Sequence, residues 1–472
     1  MINLVKNELY KIFHKKFIYV MAILIIVLRI FVAVISNVAF SVDFSAMFFE
    51  PSVQALENAD SSMSNEEKTY LVNDKNTYDT FKLIKDEGLK TNSWEAYTIV
   101  NGKINENIAC MNENKYITKD EDAYNSCKEE YENNLKKVKD GDWEYFVKLD
   151  LDEAKAELSE SNEDNELLKN RIKGNEYRLE YKVPYDYSLK SNILYDYSFM
   201  AFDMDLINKD ESKITKRNEL IDKRNAEKNY KELVYKVENN VLPEANGLNS
   251  AQESVLGNFT YTSFFLVILV VILGATIVAD EFNKGTIKQL LLKPYTRSQI
   301  LISKYISCLI VFFLFVIGSL VAYSIIDGIA YGFKDLFMPV VVYNFNSGHI
   351  MEMNTFVYAL LNFVCLLPHY LILFTVGFFI SILLENGVVG IIVPLVLDTF
   401  ADIISALIPK SLERFGAFLP SSCWELNQFL FGGLANNQYS NIWISIIVDI
   451  VVLGLLMWLS LLSFKKKDIK NQ

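Results

Sequence analysis

Three ionisable residues fall inside long apolar runs: Arg29 in the run 17–40, and Asp398 and Asp402 in the run 388–408. A charge at the centre of a membrane-crossing helix costs ~2.5–3.5 kcal/mol on insertion scales. Such residues turn toward a protein interior, a water-filled cavity or an opposite charge. Asp398 and Asp402 lie one helical turn apart and share a face. We expect Arg29 to face Asp398 or Asp402, within one subunit or across a dimer. Snorkelling or a water-filled crevice is the alternative reading.

Other reactive residue types are present without the spacing that chemistry needs. No G-x-x-x-x-G-K-[ST] occurs, so the chain has no phosphate-cradling loop. No G-x-S-x-G elbow occurs either. His14, His349 and His369 are far apart, and none has a Cys or carboxylate at metal-ligand spacing. Neither a catalytic centre, a metal site nor a cofactor site is expected on this chain. His369 follows Pro368 and reads as a hydrogen-bonded histidine in a kinked helix. Of the five cysteines, Cys110 and Cys127 lie in a long polar block. They form either a bridge or two free thiols, because sequence alone does not show whether their Cα atoms approach.

The elements that carry these residues follow from the distribution of apolar sequence. Six runs of about 20 residues, 17–40, 259–279, 300–324, 355–384, 388–408 and 441–464, are each long enough for a hydrocarbon core of ~30 Å. The first is too long for a signal peptide and lacks a small-residue cleavage site, so we read it as an uncleaved anchor. Between the first and second runs, residues 41–255 hold 45 Asp and Glu against 29 Lys and Arg, a balance of −16. The rest of the chain holds 13 acids and 17 bases, and 13 of those bases cluster at Lys6–Lys16, Lys284–Lys304 and Lys465–Lys470. With six spans these clusters fall on one side, which the positive-inside rule makes the cytoplasm. The expected fold is an all-α polytopic membrane protein of six transmembrane helices. A large, mostly helical extracellular domain lies between the first and second, and both termini are in the cytoplasm. So acidic a block is a poor match for nucleic acid, whose phosphates need a basic face.

The expected order is an interfacial helix over 1–16, transmembrane helix 1 over 17–40, the extracellular domain 41–255, helices 2–6 over 256–464 and a basic tail 465–472. In 1–16, Ile2, Val5, Leu9, Ile12 and Phe13 recur at helical spacing with lysines opposite. A capping box at Ser64 and Glu67 starts a helix, and Gly141, Gly174 and Pro184 punctuate the block. The Tyr-rich "EYKVPYDYSLKSNILYDYSF" reads as strands or as an aromatic core. The stretch 326–354 is a short external connection, "LLENGVV" is a tight turn, and 409–440 is an amphipathic external segment.

Between the second and third runs lies "VADEFNKGTIKQLLLKPYTRSQILISKY". Thr286 with Gln289, and Thr296 with Gln299, are two capping boxes, so two helices are expected here. The first is short, with Ile287, Leu290 and Leu291 on one face; Gly285 opens it and Pro294 ends it. The pattern Glu281-x-x-x-Gly285-Thr286-Ile287-x-x-Leu290-Leu291-x-x-Pro294-x-Thr296-Arg297 resembles the signature after the second span of ABC-2 type transporter permeases. The six-span layout and "FLP" at Phe418 to Pro420 are similar to that family as well. The resemblance covers about half the chain and leaves 41–255 unexplained. It implies that 281–297 is a coupling helix docking on a separate ATP-binding subunit, with two membrane subunits enclosing a substrate path. Carried over, Ile287, Leu290 and Leu291 fill a groove on the ATPase, while Glu281 and Arg297 make polar contacts at its rim. ATP and Mg²⁺ then belong to the partner, and the substrate is a peptide, antibiotic or lipid-like compound, exported. An interfacial helix without a partner is the bland alternative for the segment. The alternative function is a non-transporting membrane scaffold or receptor, similar in layout to phage-infection-protein and type VII secretion accessory families.

Overall fold

The computed structural model describes residues 1–38, 45–58, 63–161, 165–200, 204–214, 216–244, 249–261, 263–287, 289, 294–408, 412–435 and 437–467. Helix α1 (Ile2–Phe13) is separated by two residues from the apolar α2 (Lys16–Val38). The polar block follows as α3 (Ser45–Glu57), α4 (Asn65–Asp86), α5 (Trp94–Asn101), α6 (Lys103–Glu113), α7 (Glu121–Lys139), α8 (Trp143–Glu160), α9 (Glu166–Tyr181), α10 (Leu189–Phe199), α11 (Met204–Ile207) and α12 (Arg217–Glu238). Then come α13 (Ala251–Tyr261), α14 (Ser263–Asn283), α15 (Arg297–Tyr331), strands β1 (Pro339–Asn344) and β2 (His349–Asn354), α16 (Thr355–Leu384), α17 (Gly387–Ala406), α18 (Glu413–Gly416), α19 (Pro420–Cys423) and α20 (Ile442–Lys466).

Among the described residues, five helices are long and apolar enough to cross a membrane: α2, α14, α15, α16 and α20. The chain is thus predominantly helical and built as a multi-pass membrane protein requires. The expected fifth run forms α17, 20 residues long, but its described apolar part is 387–401. The whole helix, Gly387–Ala406, rises ~30 Å, the thickness of a hydrocarbon core. α14 is the most enclosed of the apolar helices, packed by α15, α16 and α17 around one large apolar core. Gly274 makes this packing possible, because a Cβ there would sit 2.6 Å from the carbonyl oxygen of Phe374 on α16. At Gly390 of α17 a Cβ would lie 3.0 Å from Ala275 and 3.1 Å from the carbonyl oxygen of Gly377. Small residues let apolar helices approach closely where the surrounding medium gives no hydrophobic drive between them.

The all-α expectation needs one correction. Within 326–354 the chain forms an antiparallel hairpin, with Pro339 opposite Asn354 and Asn344 opposite His349. The run Val340-Val341-Val342-Tyr343 is β-branched and aromatic, which favours a strand, and Gly348 takes a positive φ of 70° at the turn. α12 lies on this hairpin: Glu232 Oε1 accepts from the Tyr343 amide at 2.8 Å, and Tyr235 donates to Glu352 at 3.0 Å. Arg217 reaches the Ala435 carbonyl at 2.9 Å, so α12 joins the polar block to two segments of the membrane-type part.

The polar block has two small apolar cores, one around Ile99, Ile104 and Phe146 and one around Leu194, Tyr197 and Val237. The capping box at Ser64 and Glu67 forms, with the Glu67 amide donating to Ser64 Oγ at 3.2 Å. Gly141 turns the chain between α7 and α8 with φ 75°. Gly174 does not punctuate; it sits inside α9, where a Cβ would collide with Ser198 Oγ. The Tyr-rich stretch builds no strand: α10 and the end of α9 put Tyr177, Tyr181 and Tyr197 into the second core.

Candidate functional site

Asp280 and Glu281 occupy the last turn of α14, where the helix dipole disfavours acids and favours cations. Three lysines answer them. Glu8 and Lys11 share a face of α1 at i,i+3, and Lys304 lies two turns into α15, whose start is fixed by the Thr296–Gln299 capping box. Lys304 Nζ stands 2.7 Å from both Glu8 Oε2 and Glu281 Oε1. Lys11 Nζ is 2.8 Å from both Glu8 Oε1 and Glu281 Oε1. The four side chains close an alternating ring of charge. Lys304 is 0% exposed, Glu8 2% and Glu281 7%, while Lys11 is half exposed. Beside the ring, Lys15 Nζ bonds Asp280 Oδ2 at 2.7 Å, and Ser307 Oγ donates to the Val5 carbonyl at 3.2 Å.

Burial pushes the Glu8 carboxyl up, but Lys304 and Lys11 outweigh it and hold Glu8 below the ordinary glutamate range. Burial likewise pulls Lys11 down, and Glu281 and Glu8 outweigh that and raise it. Charged hydrogen bonds inside a low dielectric explain both directions. The ring ties α1, the end of α14 and the start of α15 into one unit.

This geometry corrects three expected contacts of the 281–297 segment. Glu281 does not sit at a rim; its carboxylate is inside the ring. Ile287 is 2% exposed and belongs to the central apolar core, so it offers no ridge. Arg297 caps the end of α20, donating to the carbonyls of Lys465 at 3.0 Å and Lys467 at 2.8 Å. Gly285, with φ 67°, Thr286, Gln289 and Pro294 face outward. Leu290 and Leu291 lie outside the described residues, as does the course of the short helix expected from Thr286. Of the residues that complete the site, Lys11 and Lys304 appear in the sequence only as members of basic clusters, and Glu8 was missed. Its signal was a spacing of four from Leu4 and Ile12 on the buried face of α1.

The charges inside the apolar helices pair differently from expectation. Arg29 Nε donates to Asp327 Oδ1 at 2.6 Å, and its Nη2 reaches Asp327 and Ser254. Neither Asp398 nor Asp402 is its partner among the described contacts, because α2 packs along α15. Asp398 instead bonds His369 Nε2 at 2.6 Å, under the ring of Trp424. The side chain of Asp402 lies outside the described residues. On α20, Asp449 is buried and neither carboxylate oxygen has a hydrogen-bond partner among the described residues. In the polar block Cys110 and Cys127 are joined as a disulfide between α6 and α7, with Cα atoms 6.1 Å apart. Among the described residues no cluster of His, Cys, Asp and Glu could hold a metal ion.

Comparison with known proteins adds a lineage without an activity. The uncharacterized protein YhcI of Bacillus subtilis (strain 168) is 28% identical over 163 residues, which are 34% of this chain and 51% of that protein. The chain therefore spans about half the length of the curated relative it matches. No solved structure matches it. Residues 229–470, about half the chain and nearly all of its membrane-type part beyond α2, match the family described as protein of unknown function (DUF2705), and the chain belongs to that family.

Proposed function

We propose that the chain is the membrane-spanning permease subunit of an ATP-driven transporter of the ABC-2 type. It works as a dimer with separate ATPase subunits and exports a peptide, antibiotic or lipid-like compound. The observation that carries this reading is the buried ring of Glu8, Lys11, Glu281 and Lys304. The ring joins α14 and α15, the two helices that flank 284–296, to α1, so a push delivered between them is passed to three helices at once. Breaking a buried ion network by displacing one member costs about 3–5 kcal/mol, so the unit moves as a body. ATP and Mg²⁺ are held by the partner, whose energy enters through a surface that includes Thr286, Gln289 and Pro294 and the sequence-level ridge Leu290–Leu291.

The gathering of Lys15, Lys304, Arg297 and Lys467 at the end that carries α1 supports a cytoplasmic placement of that end, with α17 as the sixth span. The Cys110–Cys127 bridge supports an oxidising, extracellular setting for 41–255. A photo-crosslinking residue at exposed Gln289 is expected to capture, in cells, a soluble protein with a phosphate-binding loop. The same residue at exposed Tyr70 in the polar block is expected not to. Equal capture from both positions, or none from Gln289, defeats the docking assignment. The second reading, a membrane receptor or scaffold, draws on the size of the polar block and on the cavity within it.

A further inference from the structure

The polar block contains a cavity of about 340 Å³ bounded by α5, α6, α8, α9 and α10, within the size range of small-ligand sites. Its walls are aromatic: Tyr97, Tyr185, Tyr195 and Phe199, with Tyr97 and Tyr185 nearly parallel at 6.3 Å and Tyr195 4.5 Å from Phe199. Seven charged residues line it, four acids and three bases. Which sign a ligand meets depends on which of them it can reach.

Arg178 forms the floor and is 1% exposed. Its Nη1 donates to Ser191 Oγ at 2.9 Å, its Nη2 to the Ser191 carbonyl at 2.8 Å, and its guanidinium lies 4.2 Å from the Tyr185 ring centre. Its Nε is enclosed and has no hydrogen-bond partner among the described residues. Asp150 is also engaged, accepting from Asn175 Nδ2 at 2.5 Å and from Tyr185 at 2.8 Å. The accessible charges are at the mouth. Glu106, Glu153 and Glu157 are the more exposed there, shared between Lys103, at 2.9 Å from both Glu106 and Glu153, and Arg171, at 3.3 Å from Glu157. Exposed pairs of this kind are worth about 0–1 kcal/mol, so an incoming cation can exchange into them. Aromatic faces attract cations rather than anions. The block as a whole, at −16 over 41–255, draws the same sign.

We propose that this cavity is a binding site for an organic cation with an apolar body: the apolar part packs on the tyrosines and the cationic group meets Glu106, Glu153 and Glu157. Such a ligand is either a basic side chain of a peptide or a free amine. The site is independent of the ATPase reading, and its test needs no partner protein.

The test is calorimetric titration of the purified full-length chain in detergent. Three probes are used: N-acetyl-Phe-Arg-amide, N-acetyl-Phe-Glu-amide and phenethylamine. Binding of the basic dipeptide, of phenethylamine or of both, with none of the acidic dipeptide, is the expected result, and the better binder identifies the source. Glu153→Gln with Glu157→Gln is expected to weaken binding about fivefold, and Tyr195→Ala by a similar factor. All three side chains are substantially exposed, so the thermal midpoint serves as the control for folding. Equal binding of acidic and basic dipeptides overturns the proposal. So does binding of none of the probes, or binding unchanged in the variants.

Discussion

Lys304 is the residue on which the ring turns. It contacts both glutamates and has no exposure, so removing it leaves two buried carboxylates sharing only the half-exposed Lys11. Lys304→Met is expected to cost about 3–5 kcal/mol, whereas Lys11→Met, at a half-exposed position, is expected to cost about 1 kcal/mol or less. Thermal midpoints in detergent check this, and equal losses contradict the ring. The pH dependence follows from the shifts. Glu8 is held below its ordinary value, so its contribution is complete at neutral pH and is lost as pH falls through that lowered value. Lys11 is raised, so its contribution holds below the ordinary lysine range and is lost as pH climbs through the raised value. The stabilisation from these two groups is therefore flat between about pH 5 and pH 10. Little of this was legible beforehand: Glu8 reads as a surface acid on an amphipathic helix until α15 supplies a buried lysine from almost 300 residues away. Asp327 was hidden for a related reason, lying three residues beyond the apolar run 300–324 and so outside any count of intramembrane charge.

At the scale of elements, the long helices were legible because each is a continuous apolar run, and their ends were marked by local chemistry. The boxes at Ser64 and Thr296 both form, since a cap needs only residues three apart. Contacts between elements were not legible. Gly174 looks like a breaker in sequence but is demanded by Ser198, and the hairpin 339–354 was hidden in a segment read as a loop. Gly274 likewise carries no signal inside an apolar run, yet it sets the α14–α16 distance. Gly274→Val forces side-chain carbon against the Phe374 carbonyl and is expected to cost at least about 1–3 kcal/mol. Gly318→Val, at a glycine with open space around it, is expected to be far milder. Similar losses in thermal midpoint for both contradict the packing described.

At the scale of the molecule, polar contacts between distant segments tie the helices to one another. The helix ends that flank 284–296 are fixed to α1 by the ring, and through Arg297 to the end of α20. At the other end, α12 rests on the hairpin and on Ala435, and Arg29 ties α2 to α15 through Asp327. The central claim is that the segment receives an ATPase. Its most direct measurement is co-purification of the chain with a nucleotide-hydrolysing subunit, compared between the natural sequence and the double change Leu290→Asp, Leu291→Asp. The account predicts a stoichiometric ATPase with the natural chain and none with the double variant, whose own thermal midpoint stays unchanged. An ATPase retained in full by the double variant, or absent from the natural complex, contradicts it.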